Sequence, residues 1–339
     1  MASATSACPS NTDSKKLLWD DETFASRYRT AEGLTGDYAL DLLKQMGVSA
    51  TTPAPVKHLD LACGTGVVAK HAISLLEVAN KPASSKDQYN FTAADLAPAM
   101  LDALRSRFES ESWSIRPEVI KADMRDTNLP ADNFTHITCS FGPCNAPNPL
   151  ATLRESYRLL TSGGVAGWTA WTACGWYPDV MAALDDIRSH AAKASATGKG
   201  TEDDEKLAKV PQMQSFRTMI GRFTGIEDLS VAKDEDGEMP KWESDEYFVK
   251  QVRKAGFVDV QVNVVNKTLF LSGEDAYEIV KPILGILGNW WSQEERKVLE
   301  GGLLEKKVQE WFKKKVEENE GKKVVWDTWK AMIVTGRKE

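Results

Sequence analysis

Apolar residues recur at three-to-four spacing from Leu17 to Met46, through Trp19, Phe24, Tyr28, Leu34, Tyr38, Leu42 and Leu43, which predicts a helix. The prolines of Thr51–Pro55 end it. The pattern then becomes short apolar runs separated by helical stretches. Val56–Leu61 reads as a strand that leads through Gly64-Thr65-Gly66 into a helix to about Ala79. Tyr89–Ala94 predicts a second strand, ended by Asp95. Ala97–Phe108 predicts a helix with Pro98 in its first turn, where the missing N–H costs nothing. Glu118–Ala122 is a third strand, ending at Asp123, and Phe134–Phe141 a fourth. Ala151–Leu160 is a helix closed by Ser162-Gly163-Gly164, and Val165–Trp171 is a fifth strand. Strands that alternate with helices call for a mostly parallel sheet covered on both faces.

Beyond Trp176 the rhythm changes. Lys193–Lys209 lacks aromatic residues and carries the acidic run Glu202–Glu205, which predicts a loop or mobile insert. Phe216–Phe223 sets Arg217 and Arg222 among apolar partners, and Val231–Asp245 is a charged loop. Glu246–Ala255 predicts a helix stopped by Gly256, and Val258–Leu271 a long β segment. Glu274–Trp291 and Gln293–Asn319 are helical, and Met332–Gly336 is a last apolar strand. Lys and Glu alternate over Lys313–Lys323, the pattern of a solvated helix face. The chain divides into a disordered leader (1–14), an N-terminal helical cap (15–50) and an α/β core (51–175). A cap or insert with charged loops (176–255) and sheet-completing strands and helices (256–339) follow.

Composition narrows the function. With 42 basic and 49 acidic residues the net charge is −7, against the basic excess that nucleic acid or an anionic membrane surface demands. Five cysteines at irregular spacing, with no CxxC pair, give neither a disulfide framework nor a zinc site, and no metal is expected. With no signal peptide and no run of 18 apolar residues, the chain is expected in the cytoplasm, the nucleus remaining open.

The chemistry gathers at strand ends. Asp60-Leu-Ala-Cys-Gly64-Thr-Gly66 closes the first strand and opens a helix. Glycines there admit a ligand to the backbone, and helix N–H groups face it. Gly64, Gly66 and Ala69 fit a loose dinucleotide fingerprint, so the turn leaves NAD open. Asp95, however, lies about thirty residues on, where that fingerprint expects an acid at about twenty. Asp95 stands where a ribose diol would lie and can accept both hydroxyls. Asp123, followed by the soft Met124, offers an acceptor for an adenine amine beside an apolar wall.

Val56–Ile73, Thr92–Arg105, Lys121–Asp126 and Leu129–His136 together resemble a class I S-adenosylmethionine-dependent methyltransferase. The likeness is in particular to fungal secondary-metabolite methyltransferases of the gliotoxin bis-thiomethyltransferase type. It extends to Phe24–Tyr38, Trp171–Leu184 and Val334–Gly336, and Lys193–Asp245 is the main unmatched stretch. The resemblance implies an α/β fold with a doubly wound, mostly parallel seven-stranded sheet, Rossmann-like, under a helical cap. It also implies S-adenosylmethionine as cofactor. Asp60, Gly64 and Gly66 would hold the methionine end, with Asp60 receiving the ammonium. Asp95 would take the ribose, Leu96 would flank the adenine, and Asp123 and Met124 would clasp it. Tyr28 and Arg29 would close over the cofactor, and Ser140 joins the same cofactor set. Ala62 stands where many members have glycine, a change tolerable if its φ is negative.

Methyl transfer mainly requires alignment of acceptor and methyl, with a base only if the acceptor must lose a proton early. His58 and His136, inside strands, read as satisfied core residues, and His71 and His190 as helix-surface residues. None forms a Ser-His-Asp or Cys-His pair, so hydrolase chemistry is unsupported. Ser140-Phe-Gly-Pro-Cys-Asn145 should floor the crevice, with Asn145 or Cys144 orienting an acceptor. Phe141, Trp171, Trp176, Tyr177, Phe216 and Trp290 could line an apolar pocket for a flat organic acceptor, or a cation–π wall for an amine. The expected reaction is methylation of O, S or N on a small organic molecule, with a protein partner or homodimer left open. A regulatory methyltransferase-fold protein, docking through Glu202–Glu205 and Lys233–Asp245, is the alternative. A nicotinamide-dependent oxidoreductase is disfavoured by the spacing to Asp95.

Overall fold

The computed structural model describes residues 22–49, 51–53, 55–77, 89–213, 215–223, 230–288, 291–318 and 323–339. The leader expected at 1–14 and the pocket candidate Trp290 lie outside them. After α1 (Glu22–Gln45), strands and helices alternate: β1 (Val56–Leu61), α2 (Val67–Glu77), β2 (Tyr89–Asp95), α3 (Pro98–Ser110) and β3 (Glu118–Lys121). Then follow β4 (Phe134–Ser140), a 3-10 turn at Pro143–Asn145, α4 (Pro149–Leu159) and β5 (Leu160–Ala173). A helical run, α5 (Trp176–Ala196), α6 (Glu202–Leu207), α7 (Phe216–Phe223) and α8 (Asp245–Lys254), leads to β6 (Val258–Leu271). The chain closes with α9 (Gly273–Gly288), α10 (Gln293–Arg296), α11 (Leu303–Glu318) and β7 (Val324–Arg337).

One sheet of seven strands runs in the order β3-β2-β1-β4-β5-β7-β6. The first five strands pair in parallel, and β7 lies antiparallel to both β5 and β6. β1 is buried except at Lys57 and β2 except at Asn90 and its terminal Asp95, the continuous burial of parallel strands covered on both faces. Ala39, Leu42, Leu43 and Met46 of α1 join Val56, Val68 and Ile333 in one apolar cluster, so the C-terminal half of α1 covers the sheet. Its approach to β5 depends on Gly167, where a Cβ would sit 2.7 Å from Leu42 and Met46. Trp168 anchors the main core, fully buried with Phe257 edge-on at 4.9 Å.

Four expectations are corrected. Lys193–Lys209 is not a loop: α5 runs to Ala196, and the acidic run forms the first turn of α6. Thr201 caps α6, its hydroxyl accepting from the Asp204 amide while the Asp204 carboxylate takes the Thr201 amide. Acids in a first turn suit the positive end of the helix dipole, a helix-start signal hidden by the run's polarity. Ser162-Gly163-Gly164 does not end α4, because β5 already begins at Leu160 and carries both glycines. Gln293–Asn319 is not one helix: Glu300 leaves helical geometry (ψ 137°) and Gly301 is left-handed (φ 70°), and α11 starts afresh at Leu303. The last strand is also longer than its apolar tail, because Val324 and Trp326 point inward and alternate with exposed Val325 and Asp327.

Candidate cofactor and acceptor site

Strand order reverses between β1 and β4, and ligands of such sheets bind in the crevice outside the strands' carboxyl ends. Asp60 stands there, one residue from the end of β1 and 1% exposed. Its Oδ1 accepts from the Thr138 hydroxyl of β4 at 2.8 Å, whereas Oδ2 is buried with no partner among the described residues. Burial pushes its carboxyl up to about 7, against the pull of the Thr138 bond and with a push from Asp95.

Past β1 the backbone turns left-handed at Ala62 (φ 51°) and again at Gly64 (φ 52°). The condition under which alanine would replace glycine at 62 without strain, a negative φ, is not met. A left-handed alanine costs roughly 1–2 kcal/mol, which the surrounding bonds must offset. Asp95 supplies one of them: its Oδ2 accepts from the Gly64 amide at 2.8 Å and its Oδ1 from the Ala97 amide at 2.9 Å. Gly66 (φ 86°) serves helix packing, because a Cβ there would strike the Leu104 side chain of α3.

The same turn is tied to α1. Glu32 accepts from the Thr65 hydroxyl and from Arg107 of α3 at 2.8 Å, and Arg107 also donates to the Thr65 carbonyl at 3.0 Å. Arg107 is 4% exposed and meets Glu111 at 3.1 Å, which in turn pairs with Lys70. This buried ionic clasp was not read from the sequence, since its members lie on α1, α2, α3 and the turn. Tyr28 and Arg29 belong to α1, but their side chains lie outside the described part of the structure.

Leu96 is 41% exposed beside Asp95, an apolar surface at the crevice rim. Asp123 accepts from the Arg125 amide at 2.9 Å and from its guanidinium at 2.6 Å. Those bonds outweigh its partial burial and hold the carboxyl below its usual range. Part of its acceptor capacity is therefore already used. Met124 approaches Cys139 and the Gly142 backbone, and a Cβ on Gly142 would lie 2.5 Å from Cys139 Sγ and 3.0 Å from Ala62 Cβ. Gly142, which the sequence reading did not select, thus brings the β4 loop against the β1 turn.

On the acceptor side Ser140 pairs with the Thr169 hydroxyl at 3.0 Å, and Phe141 is left-handed (φ 57°). Asn145 turns inward and donates to the Phe141 carbonyl at 2.8 Å. Cys144 is 3% exposed, and burial pushes its thiol up to about 12, so it stays protonated. Phe141 stacks on Trp171 at 4.1 Å, with Tyr38 edge-on to both, and Trp329 packs on Trp171 at 5.2 Å. Tyr177 joins Trp176 (5.9 Å) and Phe216 (5.7 Å) in a second aromatic group. Near Cys144 lies Glu243, whose carboxyl burial pushes upward and whose partner is Arg217 at 3.5 Å.

The histidines lie elsewhere. His58 bonds Thr138 at 2.9 Å inside the sheet, and His136 bonds the Thr135 hydroxyl at 2.9 Å. His190 meets its own helix at the Asp186 carbonyl, and His71 faces Gly36 of α1. Among the described residues no three metal-ligating side chains converge, and no helix is long and apolar enough to cross a membrane.

A buried carboxylate oxygen lacking a donor suits an ammonium group, a second acid on the next strand suits a diol, and exposed Leu96 suits a flat base. Those are the three parts of S-adenosylmethionine, and the residues present fit it. Residues 59–164 match the family described as the methyltransferase domain. Sheet order, crevice and match define a class I, Rossmann-like methyltransferase domain.

The chain is an S-adenosylmethionine-dependent methyltransferase. It is similar to methyltransferase tpcH of Aspergillus fumigatus, with 25% identity over 82% of this chain and 85% of that one. It is also similar to the acetylaranotin bis-thiomethyltransferase of Aspergillus terreus, with 26% identity over 82% of each. Phosphoethanolamine N-methyltransferase 2 of Haemonchus contortus superposes with a TM-score of 0.48 at 15% identity, over 94% of this chain and 58% of that one.

Proposed function

We propose that the chain methylates a small organic acceptor of fungal secondary metabolism, with a thiol favoured over a phenol or an amine. The observation that carries the site assignment is the unpartnered Asp60 Oδ2 at the end of β1. Asp60 receives the ammonium of the cofactor, Asp95 the ribose hydroxyls, and Leu96, Met124 and Asp123 the adenine. Gly64 and Ala62 shape the turn beneath it, with Gly66 and Ser140 behind, and Tyr28 and Arg29 close from α1. The bound cofactor supplies a methyl group on an already activated sulfonium leaving group. What remains for the protein is alignment, worth up to about 7–11 kcal/mol when complete. The Phe141–Trp171 stack gives a flat acceptor an apolar wall, and the Asn145–Phe141 bond fixes the loop that carries it. Asn145 would then act by positioning this floor, and Cys144 as an apolar filler.

Proton removal favours sulfur. His58, His136 and His190 are engaged in hydrogen bonds of their own, His71 faces Gly36 of α1, and Cys144 is neutral. A thiol with a pKa near 8.5 ionises by itself to a few per cent at neutral pH, whereas a phenol near 10 calls for a base. The name of the Aspergillus terreus relative, a bis-thiomethyltransferase, supports the same choice.

The segments on which the regulatory alternative rests carry ion pairs of their own, which leaves them less unmatched charge to offer a partner. Glu202 pairs with Lys206, Glu235 with Arg154 and Lys254, and Asp236 and Glu238 with Lys250, so these acids are matched within the chain. The test is calorimetric titration with S-adenosylmethionine, its demethylated product and NAD, followed by turnover on thiols, phenols and amines. Micromolar binding of the first two with turnover on thiols is expected. Turnover confined to phenols or amines would overturn the acceptor assignment.

A further inference from the structure

Behind Asp60, away from the crevice mouth, a hydrogen-bonded chain runs through the sheet. The Thr138 hydroxyl of β4 donates to Asp60 Oδ1 at 2.8 Å and lies 2.9 Å from His58 Nε2 on β1. All three side chains are 0–1% exposed. Register explains the meeting: Asp60 pairs with Thr138 and His58 with His136, so one β4 hydroxyl bridges two residues of β1. A threonine hydroxyl that gives its proton to a carboxylate must itself be approached by a donor. His58 therefore carries its proton on Nε2, leaving Nδ1 as the buried atom without a partner. Burial and the neighbouring His136 hold His58 well below its usual range, so the ring is neutral and supplies that single proton. Phe91 lies against the ring at 4.5 Å and fixes its plane.

We infer that Thr138 and His58 are positioning residues of the cofactor site: the ordered chain from His58 Nε2–H through Thr138 Oγ–H to Asp60 Oδ1 immobilises the carboxylate and leaves Oδ2 as the one acceptor offered to the ligand's ammonium. This rests on the S-adenosylmethionine site described above. Oδ1 is then engaged by Thr138, and the buried Oδ2 is the oxygen left without a donor. The chain also favours ionised Asp60, because a hydroxyl donated to a carboxylate stabilises its charged form. Burial and the facing Asp95 on β2 oppose its charge, while the neighbouring thiols of Cys63 after β1 and Cys139 on β4 are pushed up by their own burial and stay neutral. Thr138 thus counters a surrounding that otherwise keeps Asp60 protonated.

The test compares Thr138→Val and Thr138→Ser with the unaltered chain. Affinity for S-adenosylmethionine is titrated from pH 6 to 9, with a thermal melt of each protein as the folding control. Thr138→Val should weaken binding about tenfold or more at neutral pH, the loss of one hydrogen bond to a charged group. It should also move the pH at which affinity rises to a higher value. Thr138→Ser, which keeps the hydroxyl, should restore both. A folded Thr138→Val with unchanged affinity and pH midpoint would overturn the assignment, as would a folded Thr138→Ser as defective as Thr138→Val. Should Thr138→Val not fold, the Thr138→Ser midpoint and that of His58→Asn decide, and a His58→Asn midpoint equal to that of the unaltered chain would overturn the role of His58. Failure of the unaltered chain to bind S-adenosylmethionine would instead remove the cofactor site, and this inference with it.

Discussion

The Asp95 carboxylate and the Gly64 amide meet at 2.8 Å, so the acid that ends β2 holds the turn that follows β1. Asp95 is therefore both a candidate ribose acceptor and a brace for a left-handed turn. Asp95→Ala should weaken S-adenosylmethionine binding by roughly 1.5–3 kcal/mol, because charged hydrogen bonds vanish, and should lower the melting temperature as well. Asp95→Asn keeps an oxygen for one backbone amide and should recover much of the stability but little of the affinity. Calorimetry and thermal melts on both variants separate the two roles. Undiminished affinity in Asp95→Ala would remove Asp95 from the site.

The clasp of Glu32, Thr65 and Arg107 joins α1 to the same turn with almost complete burial of the guanidinium. Removing one member of a buried pair strands the other charge, at a typical cost of about 3–5 kcal/mol. Glu32→Ala should therefore cost more stability than the double variant Glu32→Ala/Arg107→Met, which removes both charges. Denaturant unfolding measures the difference. Equal stability of the single and double variants would show that Arg107 bears no stranded-charge penalty once Glu32 is removed.

How far this architecture could be read in advance follows from distance along the chain. Each of the first five strands was legible, because its apolar run stops at a Gly, Asp or polar turn within a few residues. Asp60, Asp95 and Gly64 stood out as candidates for the same reason: each lies at the end of such a run or in the turn behind it. The clasp at Glu32 and the Thr138–His58 chain were not, since they join residues 75 and 80 positions apart, and only the β1–β4 register brings the latter together. Lys193–Lys209 was misread because its helix is held by caps and first-turn acids, and an apolar stripe is absent. Ala62 was misjudged because φ is set by the tertiary environment of the turn: the Cys63 amide bonded to Ala94, and Gly142 closing from β4.

Asp60 gives the protein a defined pH response. Burial holds its carboxyl at about 7, against 3.8 when unfolded, so between those values the native state binds an extra proton. The stability it contributes is full below the lower value and is lost as pH rises through the upper one. A shift of about three units corresponds to at most about 4 kcal/mol. Asp60→Asn should therefore gain stability relative to the unaltered protein between pH 5 and 8. Binding of the cationic cofactor end needs the ionised acid, so affinity in the unaltered protein should climb through neutrality and be weak and flat in Asp60→Asn. Parallel pH profiles for the two proteins would place the titrating group elsewhere.

Glu243 is a candidate base near the Cys144 floor, so it puts the preference for a self-ionising acceptor to the test. It is a carboxylate raised by burial, beside Arg217 and within electrostatic reach of Cys144 on the floor of the acceptor side. A general base in such a position contributes about 10²-fold or more when a proton must leave early, and next to nothing when the acceptor ionises unaided. With a thiol acceptor, Glu243→Gln should leave turnover at neutral pH nearly unchanged. The thiolate fraction then limits the rate, which should rise about tenfold per pH unit below the thiol's own pKa. With a phenolic acceptor the same substitution should lower turnover about a hundredfold and abolish the Glu243 limb of the profile. A hundredfold loss with thiols would show that the protein extracts the proton itself, and the preference for sulfur would lose its physical basis.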